Sequence, residues 1–130
     1  MKPAVAIVAV VLLMASGCGG GGSSVYTATA SRACLVKAGL QPSSVLASSD
    51  FVAQTATGGA FRVQLPANFV TVSFGATQSD ADNINDAYQR FRADNVGLAD
   101  VLRRQGNAVM LWHVHPLDAD LAKVTGCLKG

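Results

Sequence analysis

The chain has 130 residues, 50% of them hydrophobic and 14% charged, with a formal net charge of +2. A high apolar share with few charges excludes a disordered acidic or basic chain, and the length suits one domain. The charge balance also excludes the clustered basic footprint that nucleic acid requires: Arg90, Arg92, Arg103 and Arg104 lie among Asp86, Asp94 and Asp100 and read as a solvated face.

Residues 1–18 run MKPAVAIVAVVLLMASGC. A positive charge at Lys2 precedes an apolar stretch from Ala4 to Ala15. That stretch is too short to cross a ~30 Å hydrocarbon core as a helix, and has the length of a signal-peptide core. Small residues follow at Ala15, Ser16 and Gly17, and then Cys18. The segment resembles the bacterial lipobox, with Ala15 where Leu is preferred. The resemblance implies a diacylglycerol on Cys18, removal of residues 1–17 as a signal peptide, and anchorage on the extracytoplasmic side of a cell membrane. Gly19 to Ser24 is a Gly/Ser run that forms no core. Residues 18–30 are therefore expected to be a lipidated tether and residues 31–130 the globular domain. The Ser/Thr-rich stretch 23–31 also has a composition compatible with O-glycosylation.

Ser31 to Leu40 predicts a short helix, with Cys34, Leu35 and Ala38 on one face and Gly39 as a left-handed cap. Pro42 and the serine pairs 43–44 and 48–49 predict a loop, interrupted by a short strand near Val45–Leu46. Thr57-Gly58-Gly59-Ala60 is a turn signal. Phe61 to Leu65 alternates apolar and polar, and Pro66-Ala67-Asn68 separates it from a second strand, Phe69 to Phe74. Val70, Val72 and Phe74 share one face of that strand, and Thr71 and Ser73 share the other.

Ser79 or Asp80 caps a helix running to about Asn95, with Ile84, Ala87, Tyr88 and Phe91 in one stripe and Gly97 as its end. Val101 to Arg103 reads as a short strand and Gln105-Gly106-Asn107 as a turn. Ala108 to Val114 is apolar at successive positions, the pattern of a central strand covered on both faces. Pro116 stops it. Leu117 to Leu128 is a final helix whose stripe is Leu117, Leu121, Val124 and Leu128, with Asp118 and Asp120 near its start. This order predicts an α+β fold: a small, mostly antiparallel sheet of three to five strands with about three packed helices.

The three cysteines are Cys18, Cys34 and Cys127. Lipidation uses Cys18, and the other two are left as a pair joining the N- and C-terminal helices. Their bond would close a loop of roughly 94 residues, for which chain entropy gives on the order of 4 kcal/mol. Neither cysteine lies in a C-x-x-C or beside a histidine, which argues against a reactive thiol.

The segment His113-Val-His115-Pro-Leu-Asp118-Ala-Asp120 is the candidate for metal chemistry. On a strand, His113 and His115 would share a face and converge on Zn²⁺ or Cu²⁺, with Asp118 or Asp120 as third ligand. The plainer reading puts His113 at the sheet rim, His115 past the strand end and the aspartates at the helix start, with no cofactor. Trp112, Tyr88, Phe91 and Phe74 either line a ligand cleft or fill the core, and their periodicity favours the core. No G-x-S-x-G or S-x-x-K occurs, and the glycine runs lack the context of a phosphate loop, so no enzyme is expected.

The early Ala33-Cys34-Leu35, the Arg104-Gln-Gly-Asn107 turn before a strand bearing Trp112, and the closing Gly126-Cys127-Leu128 resemble small, uncharacterised actinobacterial envelope lipoproteins. The resemblance covers most of residues 31–128. It implies a Cys34–Cys127 disulfide and a compact α+β domain, and it implies no activity. The expected function is that of a membrane-anchored, non-enzymatic module that binds an envelope protein partner through its folded face. The alternative is a small-ligand or metal-binding lipoprotein using His113 and His115. Replacing Cys18 by Ser is expected to move the chain from the detergent phase to the aqueous phase in a detergent-partition assay. Retention of the variant in the detergent phase would remove the lipid anchor from consideration.

Overall fold

The computed structural model describes residues 25–91 and 97–130. The expected signal peptide, Cys18 and the Gly/Ser run lie outside the described residues. So does the expected end of the long helix near Asn95, together with Arg92 and Asp94. In chain order the elements are α1 (Ala28–Lys37), β1 (Pro42–Ser43), α2 (Phe51–Gln54), β2 (Ala60–Leu65), β3 (Asn68–Phe74), α3 (Gln78–Phe91), α4 (Leu98–Val101), β4 (Leu102–Gln105), β5 (Ala108–Trp112) and α5 (Asp118–Gly126). The fold is α+β, with one five-stranded sheet in the order β1-β2-β3-β5-β4 and every pairing antiparallel. None of the described helices is long and apolar enough to cross a membrane.

The core follows from β5. All five of its residues are buried, and alternate side chains enter two different clusters. Ala108, Met110 and Trp112 join Phe61, Val63, Leu65, Val70, Val72 and Phe74 beneath α1 and α5. Val109 and Leu111 face the other way and pack with Ala81, Ile84 and Tyr88 of α3. The sheet therefore carries helices on both faces, as the doubly apolar run predicts. Phe61 and Phe74 meet with ring centroids 5.6 Å apart. Full burial of a side chain of this size contributes roughly 1.5–3 kcal/mol.

The two chain ends close one face. Cys34 of α1 is bonded to Cys127, 93 residues later, across a Cα–Cα distance of 5.2 Å. Beside the disulfide, the buried Ser31 hydroxyl donates to the Lys129 carbonyl and accepts from the Lys129 amide at 3.0 Å. The Thr27 amide also bonds the Lys129 carbonyl, at 2.8 Å.

Several boundaries differ from the sequence-based expectation. α1 starts at Ala28, because the Thr27 side chain accepts from the Ala30 amide and caps the helix. Its inward positions are Ser31 and Leu35, while Ala38 is exposed. Residues 26–30, expected in the tether, thus belong to the fold. The strand expected at Val45–Leu46 lies at Pro42–Ser43 instead, paired with Val63 and Arg62, and Val45 is exposed. Within the stretch expected as loop, Asp50 caps the short α2 through the Ala53 amide. Val101 ends α4 and is not part of a strand; β4 begins one residue later. β5 stops at Trp112, two residues short of the expected Val114. α3 begins at Gln78, with the Thr77 hydroxyl accepting from the Asp80 amide, so Ser79 and Asp80 lie in its first turn and do not cap it. Of the expected stripe Ile84 and Tyr88 are buried, Ala87 is half-buried and Phe91 is exposed. In α5 only the later part of the stripe is buried, at Val124 and then Leu128, and Leu117 is exposed.

Asn107 clips three parts of the chain together. It occupies the turn between β4 and β5, where Gly106 takes a φ of +55°, the sign that a two-residue turn of primed type requires at its first central position. The Asn107 side-chain oxygen accepts from the Tyr26 amide, and its nitrogen donates to the Tyr26 carbonyl at 2.9 Å and the Gly75 carbonyl at 2.7 Å. Gly75 donates in return to the Asn107 carbonyl. The turn at Gly75 has no room for a side chain: a Cβ there would lie 2.6 Å from the Thr77 carbonyl oxygen. Because Asn107 is only 1% exposed, removing its amide strands three backbone groups. Asn107→Ala is expected to lower unfolding stability by about 2–3 kcal/mol, read as a shift of the urea midpoint at unchanged slope. A shift equivalent to under ~0.5 kcal/mol would show that the clip is dispensable.

Candidate functional site

The face of the sheet opposite the disulfide is covered unevenly. α3 lies over β5, and Arg104 of the edge strand β4 ties it down through Asp82 and the Gln78 carbonyl. The short α2 stands at the other side. Between them the sheet is open, leaving a cleft of about 430 Å³. Its floor is built from outward positions of three adjacent strands: Arg62 of β2, Phe69 and Thr71 of β3, and Leu111 with the following His113 from β5. One wall is Ala47 to Val52, leading into α2, and the other is Tyr88 and Phe91 of α3. A smaller depression of about 250 Å³ on the far side of the α2–α3 seam shares Phe51, Val52 and Phe91.

A polar contact between described residues joins the walls. The Tyr88 hydroxyl donates to the Asp50 carboxylate, 3.1 Å from each oxygen, and the same carboxylate caps α2 through the Ala53 amide at 3.0 Å. Asp50 therefore sets the start of α2 and its distance from α3 together. The floor is held by stacking. The Arg62 guanidinium lies 3.6 Å from the Phe69 ring centroid, and the His113 imidazole stacks on Phe69 at 4.4 Å and 16°. β2 and β5 flank β3 on opposite sides, so the Phe69 ring is sandwiched between cation and imidazole. Above this floor stand two exposed phenylalanines, Phe51 at 70% and Phe91 at 75%.

The sequence-predicted candidates separate. His113 sits at the sheet rim and its amide bonds the Phe69 carbonyl at 2.9 Å. His115 lies in the next loop, where its Nδ1 is 2.6 Å from an Asp100 carboxylate oxygen. Asp118 and Asp120 occupy the first turn of α5. Among the described residues no group of three or more His, Cys, Asp or Glu is placed to hold a metal ion. Of the four aromatics, Tyr88 and Phe91 line the cleft, Phe74 belongs to the opposite core, and Trp112 is a buried member of that core that also borders the cleft. Arg62, Phe69, Asp50 and Phe51 were not singled out from the sequence. Arg62 and Phe69 are ordinary outward positions of alternating strands, and only the pairing of the strands brings them together. Asp50 carried a legible signal, a capping residue before Phe-Val-Ala-Gln, on a helix too short to show periodicity.

Comparison of the chain with protein-family models, with curated proteins and with solved structures gave no match.

Tyr88→Phe removes the hydroxyl and leaves the ring. It is expected to cost about 1–2 kcal/mol, because the lost partner is a half-buried carboxylate, and to raise hydrogen exchange at the α2 amides. Unchanged exchange there would mean that Tyr88 does not position α2.

Proposed function

We propose that the protein is a lipid-tethered extracytoplasmic binding module whose ligand site is the cleft between α2 and α3. The observation that carries this reading is the lining. Eight of the thirteen lining residues are aromatic or aliphatic, and five polar side chains converge on the same space: Arg62, Asp50, Thr71, Ser49 and His113. A concave, mostly apolar site of ~300–1,000 Å³ with a few fixed polar groups is the usual form of a small-ligand pocket. Two phenylalanines held in water at its rim also have apolar surface that a ligand would cover. The anchor at Cys18 and the Gly/Ser run support the setting, since a flexible tether holds a binding domain near a membrane without fixing its orientation. His113 contributes to this site as part of the stacked floor, in place of the metal role considered for it with His115.

The test uses the full-length chain in nanodiscs, with ¹³C-methyl labelling and the neutral probe indole. Indole is expected to shift the methyl signals of Val52 and Leu111 in a saturable way. The signals of Val63 and Val124, on the opposite face, are expected to stay in place. Phe51→Ser and Phe91→Ser should each weaken binding and, being exposed, change stability by no more than about 0.5 kcal/mol. Shifts spread evenly over both faces, or none at Val52 and Leu111, would overturn the reading.

A further inference from the structure

We infer that the cleft takes a flat, apolar ligand bearing one carboxylate, and that Arg62 is the residue that holds that group. The inference rests on the cleft being a ligand site and names the ligand's chemistry. The first observation is the state of the Arg62 charge. Among the described residues its guanidinium makes no ion pair and no hydrogen bond, and its interaction is with the face of Phe69. Stacking of this kind orients the guanidinium plane while leaving the in-plane N–H donors unused. A carboxylate does lie in the same cleft, but Asp50 is engaged elsewhere, by the Tyr88 hydroxyl and the Ala53 amide. The cleft thus contains an oriented, half-buried cation whose neighbouring anion serves a structural contact.

The second observation is the surface beside that cation. Phe69 and His113 stack with an interplanar angle of 16°, the Arg62 guanidinium lies 3.6 Å from the Phe69 centroid, and Leu111, Val52, Phe51 and Phe91 enclose the space above. A ligand lying over this stack would pack against the ring edges and the enclosing side chains and end at Arg62. Two parallel N–H donors of a guanidinium match the two oxygens of a carboxylate, and such pairs are stronger than neutral hydrogen bonds. The same ligand with its acid converted to an amide keeps the ring contacts and loses only the charge.

The experiment compares 2-naphthoate with 2-naphthamide on the full-length chain in nanodiscs, reading the Val52 and Leu111 methyl signals. Naphthoate is expected to bind at least about tenfold more tightly than naphthamide. Arg62→Gln should weaken naphthoate on the order of ten- to a hundredfold and leave naphthamide unchanged. Arg62→Lys, which keeps the charge and loses the planar fork, should fall between. Unmoved Val63 and Val72 signals certify the sheet in each variant; if Arg62→Gln fails that check, Arg62→Lys and the acid–amide comparison in the unaltered chain decide. Equal binding of acid and amide, or naphthoate binding indifferent to Arg62, would overturn the carboxylate and leave the cleft as a neutral aromatic site. If neither probe moves Val52 or Leu111, both the carboxylate and the cleft reading fall.

Discussion

Everything in this fold depends on one strand that has no polar face. β5 presents Ala108, Met110 and Trp112 to one side and Val109 and Leu111 to the other, all buried. A strand of that composition is stable only in the interior of a sheet with cover on both sides. The topology supplies this. The chain leaves β3, crosses through α3 and α4 to the edge strand β4, and returns by the Asn107 turn so that β5 lies between β4 and β3. Once β5 is central, one face needs α1 and α5 and the other needs α3.

The two covers are built differently, and the difference creates the cleft. On the first face the helices come from the chain ends, and the disulfide, the Ser31–Lys129 hydrogen bonds and the Thr27 amide close them over the core. On the second face α3 is long and well anchored, while its companion α2 has four residues. So short a helix cannot span three strands. The uncovered floor has outward positions that remain accessible to solvent, which allows Arg62 and His113 to stand there without the desolvation that a full helical cover would impose. Asp50 keeps the gap from collapsing or widening, because the one carboxylate both caps α2 and receives the hydroxyl of Tyr88. The cleft is in this sense a consequence of unequal helix lengths on the two faces of one sheet.

Much of this was legible in the sequence where periodicity is strong. β2 and β3 follow from alternation, with Val70, Val72 and Phe74 on one face as expected. The amphipathic run is α3, starting at Gln78. The doubly apolar run before His113 is the central strand. The Cys34–Cys127 bond is observed as expected from the cysteine count. The errors have physical reasons. Thr27 caps α1 from inside residues 18–30, which the preceding Gly/Ser run marked as tether, and Asn107 makes the end of that stretch part of the fold by binding Tyr26 from 81 residues away. Phe91 continues the apolar stripe of α3 but is 75% exposed and lines the cleft, so periodicity assigned to the core a residue that stands at the cleft rim.

The sequence by itself determined the fold class, the sheet's alternating strands, the central strand and the cysteine pair, because each depends on local pattern or on counting. Only the tertiary structure decided the site. Arg62 and Phe69 come from β2 and β3 and His113 directly follows β5, and no local rule connects them; the antiparallel register of β2 on β3 and of β3 on β5 stacks them into one surface. The same register keeps His113 in the stack, while the turn after β5 carries His115 to Asp100. Two histidines two residues apart thus have separate partners, because the strand geometry that would have aligned them ends at Trp112.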